Sequence, residues 1–215
     1  MENIQVLTKT NHIKKAQEKE DIMLNKERQE EVVELCQHLI QKQSYSGHED
    51  GVAGVLEEQL KKKGFDSVTV DKYGNVIGCI KGNRPGKKIL FDGHIDTVPV
   101  TDETEWQYPP FAAEIHDGKI YGRGTSDMKG AVAGFVTAAA AFAEDTKKDF
   151  AGEIYVAGVV HEECFEGVAA REISNFVKPD YVVIGEASQL NIKIGQRGRG
   201  EIVLEAFGKP WHSGI

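Results

Sequence analysis

His94 and Asp96 stand two positions apart just after the apolar run 89–91, and on extended backbone that spacing turns both side chains the same way. A carboxylate so placed fixes the tautomer of an imidazole and strengthens it as a metal ligand. Asp127 closes a loop that contains Gly122 and Gly124, immediately before an alanine-rich segment. His161-Glu162-Glu163 ends a run that is apolar through Val159 and Val160, and Glu186 ends another in the same manner. Neighbouring side chains at such a strand end point apart, so one of the paired glutamates can hold a metal while the other addresses a water. Strand ends are where α/β folds place their ligands. Imidazole and carboxylates in this spacing fit a two-metal hydrolytic site.

Each piece taken singly has a plainer reading. His94-x-Asp96 alone is compatible with a structural or surface pair, and Asp127 with a helix N-cap, where free backbone N–H groups favour a carboxylate. Gly122-Arg123-Gly124 faintly mimics a dinucleotide-binding loop, but Asp127 takes the place of the third glycine and would repel a pyrophosphate. Arg197 and Arg199 suit either a substrate carboxylate or a plain surface loop.

The elements that must position these residues follow from periodicity. Val32, Leu35, Cys36, Leu39 and Ile40 recur at helical intervals within 27–42, and Ser46-Gly47-His48-Glu49 reads as a capping box for a second helix through Val52, Val55, Leu56 and Leu60. This pair is expected to cover one face of a sheet. Short β-rich runs occupy 67–71, 75–80 and 87–91, with a hairpin at Asp117-Gly118. A helix is expected over 129–143, buried strands over 152–160 and 180–184, and a helix over 167–176 between them. The alternation makes the class α/β. Gly195-Gln196-Arg197-Gly198-Arg199-Gly200 interrupts the pattern, and an alternating strand over 201–207 begins afresh beyond it.

Composition narrows the partners. With 215 residues, 40% hydrophobic, and a net charge of -8, the chain can bury a sizeable core but has no excess of base to attract nucleic acid or an anionic membrane. Residues 1–20 carry neither an apolar run nor a small-residue cleavage site, so cytoplasmic residence is the default expectation. The three cysteines, Cys36, Cys79 and Cys164, are scattered and fit a reducing compartment; Cys164 is expected to be a buried structural thiol.

In order along the chain, Gly93-His94-Ile95-Asp96, Trp106 with Pro110-Phe111, Asp117-Gly118, Gly122-Arg123-Gly124-Thr125-Ser126-Asp127-Met128-Lys129-Gly130, Glu162-Glu163 and His212-Ser213 resemble a known set. They are similar to the motifs of the metallopeptidase and deacylase family of acetylornithine deacetylase, succinyl-diaminopimelate desuccinylase, aminoacylase and carboxypeptidase G. The resemblance covers residues 27–212. Gly185-Glu186-Ala187-Ser188 together with 195–200 resembles the branch called selenium-metabolism-linked hydrolases.

The resemblance implies a three-layer αβα catalytic domain of zinc-exopeptidase type, with a mixed, mostly parallel sheet, over 27–197. An N-terminal extension, 1–26, would precede it, and 198–215 would open a truncated α+β lid and dimerisation domain. It implies a metal-dependent hydrolase that cleaves an amide bond of a small peptide or N-acyl amino acid by attack of a metal-activated water. Asp127 would bridge two zinc ions (Co2+ or Mn2+ as substitutes), with His94 and Glu186 on one and Glu163 on the other. Glu162 would be the general base and Asp96 the carboxylate that orients His94, with a cis peptide between Asp127 and Met128. His212 would reach a neighbouring subunit's site and hold the oxyanion, in a homodimer formed through the lid.

Two departures matter. The family's second metal takes a further His late in the catalytic domain, and this sequence has no His after His212. Trp211 also replaces the small residue expected before His212. The competing expectation is therefore an inactive metal-binding or interaction fragment of the same fold.

Overall fold

The computed structural model describes residues 25–165, 167–195, 197, 198, 200 and 202–208. Helix α1 (Lys26–Ile40) starts at Asn25, whose side chain accepts the Arg28 N–H at 2.9 Å. It buries Leu35, Cys36, Leu39 and Ile40, the stripe that the sequence spacing predicts. Helix α2 (Asp50–Lys62) buries Val52, Ala53, Leu56 and Leu60. The capping box expected ahead of it is not formed: Glu49 makes no cap bond to the helix. Ser46 and Glu49 turn inward instead, toward the loops at the end of the sheet.

Strands β1 (Ser67–Val70), β2 (Val76–Lys81), β3 (Arg84–His94), β6 (Ala151–Val159) and β7 (Tyr181–Ile184) form one sheet in the order β1-β2-β6-β3-β7. Only β2 runs against the others, being antiparallel to both β1 and β6, while β3 is parallel to β6 and β7. The class is thus α/β with a mixed, mostly parallel sheet, as expected. Strands β4 (Glu114–His116) and β5 (Lys119–Tyr121) make the separate hairpin around Asp117 and Gly118.

The layers follow from side-chain parity. Phe91 of β3 packs on Phe135 of helix α3 (Gly130–Thr146), with ring centroids 5.1 Å apart. Lys88, of opposite parity, reaches across the other face to the Val177 carbonyl of helix α5 (Val168–Val177) at 3.1 Å. Helices α1, α2 and α3 therefore lie on one side and α5 on the other. Gly93 lets α3 start close to the sheet, since a Cβ there would come within 2.8 Å of Val132 and 2.9 Å of Met128.

Two expectations about the later chain are corrected. Strand β7 forms, but all four of its residues are exposed rather than buried, because β3 is its single neighbour among the described residues. The alternating segment 201–207 contains no strand in its described residues, and Ile202, Val203, Leu204 and Phe207 are exposed. A lone strand with no paired edge leaves its backbone groups to water and gains nothing from alternation. No helix of the described residues is long and apolar enough to cross a membrane.

Candidate active site

Parallel register carries the site residues to one end of the sheet. His94 lies opposite Val159, so the residues that follow β3 and β6 emerge together at the carboxyl edge. Asp92 lies opposite Ile184, which sets Glu186 as far beyond β7 as His94 lies beyond Asp92. Asp127 arrives from the Gly-rich loop, between Gly124 (φ +85°) and α3. Its peptide bond to Met128 is cis, as the resemblance implied, and its backbone is not helical. The N-cap reading of Asp127 is thereby set aside, since α3 begins only at Gly130.

His94, 2% exposed, is held on both ring nitrogens. Nδ1 lies 3.0 Å from the Asp96 carbonyl and 3.5 Å from Asp96 Oδ1; Nε2 lies 2.9 Å from Asp127 Oδ1 and 3.7 Å from Glu186 Oε1. Donor atoms of His94, Asp127 and Glu186 all fall within 4.8 Å of one another. Burial alone would lower the His94 imidazole, but its bonds to Asp96 and Asp127 outweigh that and push it up to about 10.

Asp96 is fully buried and ties the cluster together. Its carboxylate accepts the Ser46 hydroxyl at 2.7 Å and the Glu162 and Glu163 N–H groups at 3.1 Å each. Desolvation works against its charge, yet these bonds and His94 hold it below the usual carboxylate range. The two glutamates do not continue β6; they open a one-turn helix, α4 (Glu162–Phe165), after His161, which turns the chain with φ +58°. The strand-end reading, with side chains pointing to opposite faces, gives way to this turn because Asp96 captures both N–H groups.

The remaining acids crowd one another. Burial first and Glu186 among the neighbouring acids raise Glu162; burial and then Asp127 raise Glu163; burial and then Asp127 raise Glu186. Burial and mutual repulsion leave these carboxylates raised at one rim, and imidazole with carboxylate oxygens is the donor set that zinc and similar divalent ions take. The residues present therefore fit a metal. Glu163 stands outside the compact triplet, and among the acids Asp127 does most to raise it.

His212 and Trp211 lie outside the described residues, as does Arg199. Cys164, expected to be buried, is exposed at the end of the Glu162-Glu163 turn, whereas Cys36 and Cys79 are buried. Ser46, Glu49 and Lys129 are contributors that motif reading missed as such. The first two have the right residue types for a helix cap, and only long-range packing sends them elsewhere.

Residues 90–212 match peptidase family M20/M25/M40. Succinyl-diaminopimelate desuccinylase 2 of Ruegeria sp. (strain TM1040) is 34% identical over 194 residues, covering 85% of this chain and 49% of that protein. The uncharacterized protein YgeY of Escherichia coli K12 is 33% identical over 193 residues, covering 87% and 46%. The chain spans about half the length of the curated relatives it matches. Among solved structures, an M20 family metallo-carboxypeptidase from Sulfolobus solfataricus superposes with a TM-score of 0.62 at 25% identity, covering 72% of this chain and 37% of that one. Human carnosine dipeptidase 1 shares the fold, with a TM-score of 0.61 at 24% identity over 73% of this chain and 38% of that one. With more than half of its residues matching the family and a relative 34% identical over 85% of its length, the chain belongs to peptidase family M20/M25/M40.

Proposed function

We propose that this chain is the metal-binding, catalytic part of a hydrolase that cleaves an amide bond of a small peptide or N-acyl amino acid. The observation that carries the reading is the meeting of His94 at the end of β3, Asp127 of the Gly-rich loop and Glu186 beyond β7 within 4.8 Å. Zinc is the proposed metal, with cobalt or manganese as substitutes. His94 and Glu186 would hold one ion together with Asp127, and Glu163 would serve a second. A divalent cation bound there supplies Lewis acidity, acidifying water and polarising a carbonyl oxygen.

The protein's own groups do the rest. Glu162, held above the ordinary carboxylate range, is suited to take a proton from water and deliver it to the departing amine nitrogen. Asp96 fixes the His94 ring and, through its two backbone bonds, the turn that presents Glu162. His212 is proposed to hold the oxyanion in a neighbouring subunit of a homodimer built through the lid that 198–215 would open, with 27–197 as the catalytic domain. The relatives, a desuccinylase and a metallo-carboxypeptidase, support an acylated amino acid or a short peptide as substrate. The net charge of -8 supports a protein without nucleic-acid or anionic-membrane partners, and the scattered cysteines support a reducing, cytoplasmic setting.

The deciding experiment is Glu162→Gln, assayed on N-succinyl amino acids and dipeptides alongside metal content. Turnover is expected to fall by about 100-fold to 10,000-fold, the range for removing a general acid–base group, with metal content unchanged. Undiminished turnover would remove Glu162 from the mechanism.

A further inference from the structure

The connection between α1 and α2 has no acidic ligand of its own, yet it bonds to three of the loops that carry the site. Lys129, two residues beyond Asp127, is fully buried, and its Nζ donates to the carbonyls of Leu39 and Lys42 at 2.9 Å each. Its stem runs beneath Gly124, where a Cβ would come within 3.2 Å of it, so the Gly-rich loop is seated on the end of α1. Ser44 donates its hydroxyl to the Ile95 carbonyl at 2.7 Å and accepts the Thr97 N–H at its own carbonyl at 2.8 Å. Ser46 donates to Asp96 Oδ2 at 2.7 Å. Glu49, 5% exposed, accepts the His161 N–H at 3.0 Å.

We propose that this connection is the positioning element of the metal site, with Ser46 and Glu49 setting the distance between the His94-Asp96 loop and the Glu162-Glu163 turn. The proposal rests on the reading of His94, Asp127 and Glu186 as metal ligands. Ser46 is the side-chain hydroxyl that anchors the Asp96 carboxylate against rotation. Without it, the carboxylate is fixed only by the turn it is supposed to position and by the His94 ring it is supposed to orient. Glu49 secures that turn from the other side by taking the N–H of the residue just before Glu162. Neither side chain touches a ligand atom, so both act through Asp96 and the backbone. Partners of this kind cost about 10-fold to 100-fold in metal affinity when removed.

The test is Co2+ affinity of the 215-residue chain, followed by titration calorimetry and by the visible absorption of the bound ion, with the urea midpoint of each variant as a check on folding. Ser46→Ala and Glu49→Leu are expected to weaken Co2+ binding by about 10-fold to 100-fold and to alter the absorption of the bound ion. Ser46→Thr, which keeps a hydroxyl, and Glu49→Gln, which keeps an acceptor oxygen, are expected to restore binding and spectrum. Unchanged affinity and spectrum in Ser46→Ala while the wild type binds Co2+ would overturn the positioning role alone. Absence of Co2+ uptake by the wild type would overturn the metal-site reading and this inference with it. Should Glu49→Leu fail to fold, the Ser46 pair decides by itself.

Discussion

The inner and outer rims of the site are built in different ways. On the inner rim His94 and Asp96 are buried, and every polar atom of the Asp96 carboxylate is engaged by groups drawn from three parts of the chain. On the outer rim the side chains of Asp127 and Glu186 are 60% and 47% exposed, and Glu186 hangs from β7, a strand paired on one side only among the described residues. The geometry of the inner rim is thus a property of the packed core, whereas the outer rim supplies charge with little packing behind it. Metal binding can accordingly be broken at the outer rim while the fold is kept.

The largest effect is expected from Asp127→Ala. Asp127 is mostly exposed and meets the core through its bond to His94 at 2.9 Å, so Co2+ uptake should be lost while the stability by urea denaturation falls by only about 1 kcal/mol; retained uptake would shift the bridging role to another acid. The next tests stability alone. Leu56→Ala, at a fully buried position on α2, is expected to cost about 2–5 kcal/mol, and Val183→Ala on exposed β7 less than about 0.5 kcal/mol, both by urea denaturation. Equal losses would mean that β7 is as firmly packed as the core.

The smallest effect concerns pH in the metal-free protein. The folded value of His94 is raised from 6.5 to about 10, so its stabilising bonds are fully present below about pH 6.5 and are lost as the pH rises through about 10. Glu162, Glu163 and Glu186 are also raised, and a carboxyl that resists ionising in the fold opposes folding once it is charged. The glutamates' effect sets in from the ordinary carboxylate range upward, whereas the loss of the His94 bonds carries the expectation that, with EDTA present, the urea midpoint declines between pH 7 and pH 10. A midpoint that rises over that window would contradict the inner-rim bonding of His94.

Much of the scaffold was legible beforehand because it rests on local rules. The apolar spacing of α1 and α2, the alanine-rich run of α3, the Asp117-Gly118 turn and the short β runs each declare themselves within a few residues. Ligand candidates were legible for a related reason: single acids at the ends of apolar runs have few structural explanations. Ser46 and Glu49 were misread because their spacing satisfies a local helix cap, and the bonds that outcompete it come from Asp96 and His161, far off in sequence. Cys164 was misplaced because adjacency to a site residue says nothing about which way a turn faces. β7 read as buried because an apolar run looks the same whether one edge of the strand is covered or both.

The sequence alone thus determined the class of fold, the family, and which imidazole and carboxylates are available as donors, since these follow from periodicity and from ordered motifs. The tertiary structure decided which donors meet. The parallel register of β3 with β6 and β7 brings His94, Glu186 and the Glu162-Glu163 turn to one edge, and the buried Asp96 carboxylate draws that turn in through backbone N–H groups that no side-chain pattern reveals.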